Sequence, residues 1–140
     1  MKAQIRWTEG RQFVTESGSG HSVVIDGAPE HGGRNTGPRP MEMLLMGMGG
    51  CSAFDVLNIL DKARAEATDC VVNINAERAD AVPAVFTDIH LHFVVTGRGL
   101  KESLVQRAVS LSAEKYCSAS IMLANGGVNV SHSFEIVDAA

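Results

Sequence analysis

Cysteine is scarce in this chain of 140 residues: only Cys51, Cys70 and Cys117 occur. An odd and small number excludes the dense disulfide framework of small secreted domains. No two of them are spaced Cys-x-x-Cys, so the usual signature of a zinc site is missing. A surplus of positive charge is also missing. Lys and Arg total 12 against 16 Asp and Glu, a net charge of −4. That balance argues against a nucleic-acid partner and against attachment to anionic lipid. The longest apolar run, Met43 to Phe54, is flanked by Glu42 and Asp55. It is shorter than the about 20 residues a membrane span needs. The N-terminus, Met1 to Arg6, turns polar at once and shows no apolar leader, so a cytoplasmic location is expected. Gly47, Gly49 and Gly50 lie within a helical stretch and form no phosphate-cradling loop. No cofactor and no metal site is expected.

What is present suits one globular domain. Apolar residues make up 45 % and charged residues 20 %, enough to build a core. Ala3, Ile5 and Trp7 alternate with polar residues as in a half-buried strand. Arg11 to Thr15 and His21 to Ile25 read as its neighbours, separated by the Ser17-Gly18-Ser19-Gly20 turn. Gly27 to Pro40 is too rich in glycine and proline for a regular element. Pro40 suits a first helical turn, and a helix is expected from about Met41 to Glu66. Its first part is apolar nearly all round and its last part charged.

Cys70 to Ala76 and Phe86 to Thr96 alternate as strands. In the second, Ile89, Leu91, Phe93 and Val95 share one face, and His90, His92 and Val94 the other. Lys101 to Tyr116 is expected to be helical, followed by a short helix over Ser118 to Ala124 and a last strand, Val128 to Ile136. Helices segregated from strands in this order indicate an α+β domain. The long helix is too apolar to be covered on one side only. It is sandwiched within the domain or covered by a second subunit.

Several residues could carry chemistry. Two adjacent glycines inside a helix cost roughly 1 kcal/mol each, so Gly49-Gly50 beside Cys51 implies a close neighbour there. An inert buried thiol is an equal reading of Cys51. Cys117 stands at a break between two helical stretches, where a helix dipole lowers a thiol pKa; burial as a small residue explains it as simply. Cys70 is expected in the core. Arg34 and Arg39 could bring a cation to a thiolate. Asp55 follows Cys51 at i+4, on the same helix face. It anchors an arginine that serves the thiol, or equally holds a helix or a dimer contact; left unpaired, it raises the cysteine pKa. His132 reads as a core or interface histidine, and His90 and His92 as a solvated face.

The run Pro40-Met41-Glu42-Met43-Leu44-Leu45 leading to Gly49-Gly50-Cys51 resembles the first cysteine helix of the OsmC-like family, which includes the organic hydroperoxide resistance proteins. Tyr116-Cys117-Ser118-Ala119-Ser120-Ile121-Met122-Leu123 resembles its second cysteine segment. The similarity spans nearly the whole chain, and Gly37 to Glu42 is most like the YhfA-like branch.

The resemblance implies one OsmC-like domain over residues 1–140, with sheet packed on two long central helices, and an intertwined homodimer. It implies reduction of organic hydroperoxides by Cys51 as the attacking thiolate and Cys117 as the resolving thiol, with a dithiol reductant restoring the pair. In the peroxidase branches a loop arginine, here approximated by Arg34, lowers the thiol pKa. A glutamate ten positions before the cysteine holds that arginine. Here that position is Met41. Glu42 comes one place later and, at about 100° per residue, faces away from Cys51. The proline that commonly follows the second cysteine is also missing. Asp55 is the candidate to orient an arginine instead.

Two functions are therefore expected: a peroxiredoxin-like hydroperoxide reductase of stress defence, or a non-catalytic stress-associated dimer that binds a small apolar ligand. The adaptable Met43, Met46 and Met48 suit the second. A redox sensor is a third.

Overall fold

A computed structural model describes residues 1–140, and the chain resolves into two compact units, 1–46 and 47–140. In the first, three strands form an antiparallel meander: β1 (Ala3–Glu9), β2 (Gln12–Ser17) and β3 (Ser22–Ile25). The expected alternation is present, yet no residue of β1 is buried. Ile5 is 58 % and Trp7 64 % exposed. The meander supplies too few residues to cover its own apolar face.

The following loop is organised by Asp26, which the sequence did not single out. Its carboxylate accepts hydrogen bonds from Gly27 N (2.7 Å), Arg34 N (3.2 Å), Thr36 N (3.2 Å) and Thr36 Oγ1 (2.6 Å). The Thr36 hydroxyl, working against burial and joined by the backbone N–H groups of Thr36, Gly27 and Arg34, lowers the Asp26 pKa to about 2. Gly33 and Gly37 allow this folding back. A Cβ on either would overlap the backbone of Gly27 or of Val24.

Helix α1 spans Pro40–Lys62. Pro40 takes the first helical position, as expected. Glu42 accepts a hydrogen bond from Arg39 N at 2.7 Å, so its carboxylate caps the helix start. The helix stops four residues before the expected Glu66. Arg64 adopts a left-handed φ of 57°, and Glu66 already pairs with Arg98 in a sheet. Charged residues suit an exposed helical turn, but pairing with a long neighbouring strand overrides that local preference. With 23 residues, α1 is long and apolar enough to cross a membrane by length and composition alone. It thus exceeds the short apolar run first recognised, although core helices of soluble proteins also pass that test.

The second unit contains the remainder of α1, a sheet of β4 (Glu66–Arg78), β5 (Phe86–Arg98) and β6 (Asn129–Asp138), and the helices α2 (Glu102–Leu111) and α3 (Ser118–Asn125). β5 is central, antiparallel to β4 and parallel to β6. All three strands run beyond their expected ends. The inner face of β5, with Ile89, Leu91, Phe93 and Val95, is buried, as its alternation indicated. Met48, Val56 and Leu60 of α1 and Val105, Ala108 and Val109 of α2 are also buried. The molecule is α+β, with two sheets. The second long helix is not continuous: a π-helical turn, Ser112–Tyr116, separates α2 from α3.

Candidate active site: a cysteine pair at a helix start

Helix α1 presents Cys51, Ser52 and Asp55 on one stretch. Gly49 is buried, and a Cβ there would meet Ile74 Cδ1 at 2.9 Å, whereas Gly47 and Gly50 face open space. The close neighbour anticipated beside Cys51 is thus β4 at Gly49 alone. The second cysteine is placed by the π turn. Cys117 N donates to Ser112 O at 2.8 Å, a wider ring than an α-helix closes. That insertion sets Cys117 as the N-cap of α3, in extended conformation (φ −74°, ψ 100°). Such π turns recur at functional sites.

The fold brings the two cysteines together. Their sulfurs and an Asp55 carboxylate oxygen lie within 4.8 Å of one another. Both thiols are free. Cys117 is fully buried, with none of its surface exposed, while Cys51 is half-buried. Cys117 Sγ accepts from Ser52 Oγ at 3.1 Å and from Ser120 N at 3.4 Å. The Ser52 and Ser120 hydroxyls are 3.2 Å apart, and Ser112 Oγ donates to Ser52 O at 3.2 Å. These three serines are themselves buried. Sequence reasoning passed over them because single serines within or beside helices are ordinary; the serine directly after Cys51 and another three after Cys117 were the available signal.

The two thiols are unequal. Burial pushes Cys51 above its ordinary pKa. The Ala119 N–H opposes this, but the Cys51 S–H held by Cys117, the charge of Cys117 and the charge of Asp55 add to the rise. Burial works against Cys117 as well. There it is outweighed by hydrogen bonds from the Ser120 and Ser52 hydroxyls, the Ser120 N–H and the Cys51 S–H, so the Cys117 pKa is lowered. The hydrogen bonds at Cys117 therefore favour its charged form, whereas burial and the nearby charges disfavour that of Cys51.

Asp55 shares the helix face as expected, but it anchors no arginine. It forms no salt bridge, and its buried Oδ2 has no hydrogen-bond partner. Within the single chain its carboxylate is left unpaired, and its charge opposes the Cys51 thiolate. Arg34 pairs with Glu9. Arg39 bonds through its guanidinium to Asn35 Oδ1 at 2.9 Å and Gly37 O at 3.2 Å.

The remaining candidates lie in the second unit. Cys70 is half-buried on β4, where burial raises its pKa. His90 and His92 are less solvated than expected. The His90 ring nitrogens meet Ser131 and Ser133 hydroxyls at 2.7 and 2.8 Å, and His92 Nδ1 meets Ser133 Oγ at 2.6 Å. His132 is half-buried on β6 opposite Leu91.

Comparison with known proteins gives this arrangement its context. A family model described as "OsmC-like protein" matches residues 32–133. The chain is 51 % identical to Protein YhfA of Escherichia coli K12, covering 99 % of this chain and 100 % of that protein. The fold superposes on a hypothetical protein from Aquifex aeolicus with a TM-score of 0.86 and 27 % identity, covering 99 % and 97 % of the two chains. An organic hydroperoxide resistance protein OsmC from Legionella pneumophila shares the fold at a TM-score of 0.73 and 18 % identity, covering 96 % and 95 %. With a matched segment that includes both cysteines and a full-length relative at half identity, the chain belongs to the OsmC-like family.

Proposed function

We propose that the protein is a thiol-dependent peroxidase-like enzyme that reduces organic hydroperoxides in stress defence within a reducing compartment. The observation that carries this reading is the Cys51–Cys117 contact at the start of α3, where one sulfur is accessible and the other is stabilised as a thiolate. Cys117 accepts the Cys51 proton. The Cys51 thiolate attacks the peroxide, the O–O bond breaks, and Cys51 becomes a sulfenic acid. The alkoxide takes the proton from Cys117 and leaves as an alcohol. The Cys117 thiolate then attacks the sulfenic sulfur, forming the disulfide and releasing hydroxide, which solvent protonates. An external dithiol reduces the disulfide by exchange. Glu42 serves this scheme by capping the helix that carries Cys51.

A homodimer belongs to the same proposal. Phe54 and Met122 are each 68 % exposed in the single chain, a poor arrangement for large apolar side chains unless another surface covers them.

A second reading, a dimer that binds an apolar ligand without turnover, is favoured by the raised Cys51 pKa and the uncompensated Asp55. One equivalent of cumene hydroperoxide added to reduced protein separates the two. The peroxidase reading expects loss of two hydrogens by intact mass within seconds, mapped to a Cys51–Cys117 bond. Unchanged thiols, with Cys51 slow to alkylate at neutral pH, overturn it and favour ligand binding.

A further inference from the structure

We propose that the reduced pair, together with Asp55, binds one divalent cation of the zinc class, and that the bound ion blocks disulfide formation. No cofactor or metal was expected from the sequence, because the three ligands come from two distant segments and match no cysteine-spacing motif. The structure assembles them: Cys51 Sγ, Cys117 Sγ and an Asp55 oxygen lie within 4.8 Å of one another. A tetrahedral zinc ion with bonds of about 2.3 Å to sulfur and about 2.0 Å to oxygen requires ligand atoms roughly 3.5–3.8 Å apart. Side-chain rotation on binding would have to close the set from the observed spacing, which is at most 4.8 Å.

The second observation is the orphaned Asp55 Oδ2, buried and without a donor. A carboxylate in that setting needs a positive partner, and Asp55 has no cationic side chain in a salt bridge. Cys51 and Asp55 are one helical turn apart, the i, i+4 spacing by which one helix face offers two ligands to one ion. Around the sulfurs, Ser52 Oγ and Ser120 N point at Cys117 and Ala119 N at Cys51. Such outer donors orient metal-bound thiolates. Two sulfurs select a borderline-soft ion over magnesium or calcium. Three protein ligands would leave the fourth tetrahedral position to water. Binding to the fully protonated pair releases two protons, and both sulfur lone pairs engaged by metal are withdrawn from attack on peroxide.

The inference shares its thiols with the proposed peroxidase but can be tested without peroxide. The full reduced chain, freed of metal, is titrated with cobalt(II). One equivalent should produce near-ultraviolet sulfur-to-cobalt charge transfer and the visible bands of a tetrahedral ion, and zinc should displace it. Cys51→Ser and Cys117→Ser should lose the charge-transfer band, Cys70→Ser should keep it, and Asp55→Asn should weaken binding by more than about tenfold. Zinc should also slow alkylation of the wild-type pair. Wild-type protein with no charge transfer in excess cobalt overturns the proposal. So does a charge-transfer band that survives at full strength in folded Cys51→Ser, which would place the ion on another thiol, as on Cys70. Peroxide oxidation measured in a chelator tests the peroxidase separately, so either can fail alone.

Discussion

Around the cysteine pair, single atoms decide the chemistry. Ser52 and Asp55 act on it with opposite signs. The Ser52 hydroxyl donates to Cys117 and favours its thiolate; the Asp55 charge disfavours a thiolate on Cys51. Ser52→Ala should therefore move the pair's first ionisation to higher pH, followed by thiolate ultraviolet absorbance. Asp55→Asn should move Cys51 alkylation to lower pH and make it faster at neutral pH. A shift in the same direction for both variants would refute this division. The inequality of the thiols was only partly legible. A break before α3 announced a helix start that favours a Cys117 thiolate, but the buried serines that outweigh its desolvation become partners only in the fold. Met41 was readable at once as a departure from the peroxidase branches. That no cation compensates Asp55 was not, because it depends on what the folded chain places around Oδ2.

At the scale of elements, α1 has three glycines in very different surroundings. Gly47 and Gly50 face open space, and Gly49 is pressed against Ile74. Alanine is about 1 kcal/mol better than glycine inside a helix. Gly47→Ala should thus gain about 1 kcal/mol in denaturant unfolding, and Gly49→Ala should gain less or lose stability, because the Ile74 side chain must shift. Equal gains would show that the helix–sheet approach does not need glycine. Asp26 tests the loop before α1. Its folded pKa, about 2, lies below the ordinary carboxylate value of 3.8. The stabilisation it contributes is therefore complete above pH 3.8 and lost as pH falls towards 2. Asp26→Asn should remove that part of the acid limb in a pH-dependent unfolding series, with faster hydrogen exchange at Arg34 and Thr36; an unchanged acid limb would be inconsistent with this role. The glycine and proline content showed that Gly27 to Pro40 was irregular, but which carboxylate would gather its N–H groups required the folded backbone.

For the whole molecule, exposed apolar surface is the main observation. Ile5, Trp7, Phe54 and Met122 are all more than half exposed in the single chain. The proposed homodimer predicts a solution mass twice the 14.9 kDa of the chain by light scattering. Phe54→Asp should shift the protein to monomer without unfolding it. A wild-type monomer at micromolar concentration would refute the assembly and leave the chain with unexplained apolar surface.

Patterning determined much of this protein before any coordinates. The alternation of Ile89, Leu91, Phe93 and Val95 specified a strand with one buried face, because side chains on a pleat point to opposite sides. Pro40 specified a helix start, and the order of elements specified an α+β class. These are local properties, written within a few residues. The tertiary structure decided where α1 ends, because the pairing of Glu66 with Arg98 competes against helix with a partner distant in sequence. It also decided that Cys51 and Cys117 meet, that hydrogen bonds favour the charged form of Cys117, and that an Asp55 carboxylate oxygen near them is left unpaired. Contacts and electrostatics at that site arise from residues far apart in the chain, and only packing brings them within each other's reach.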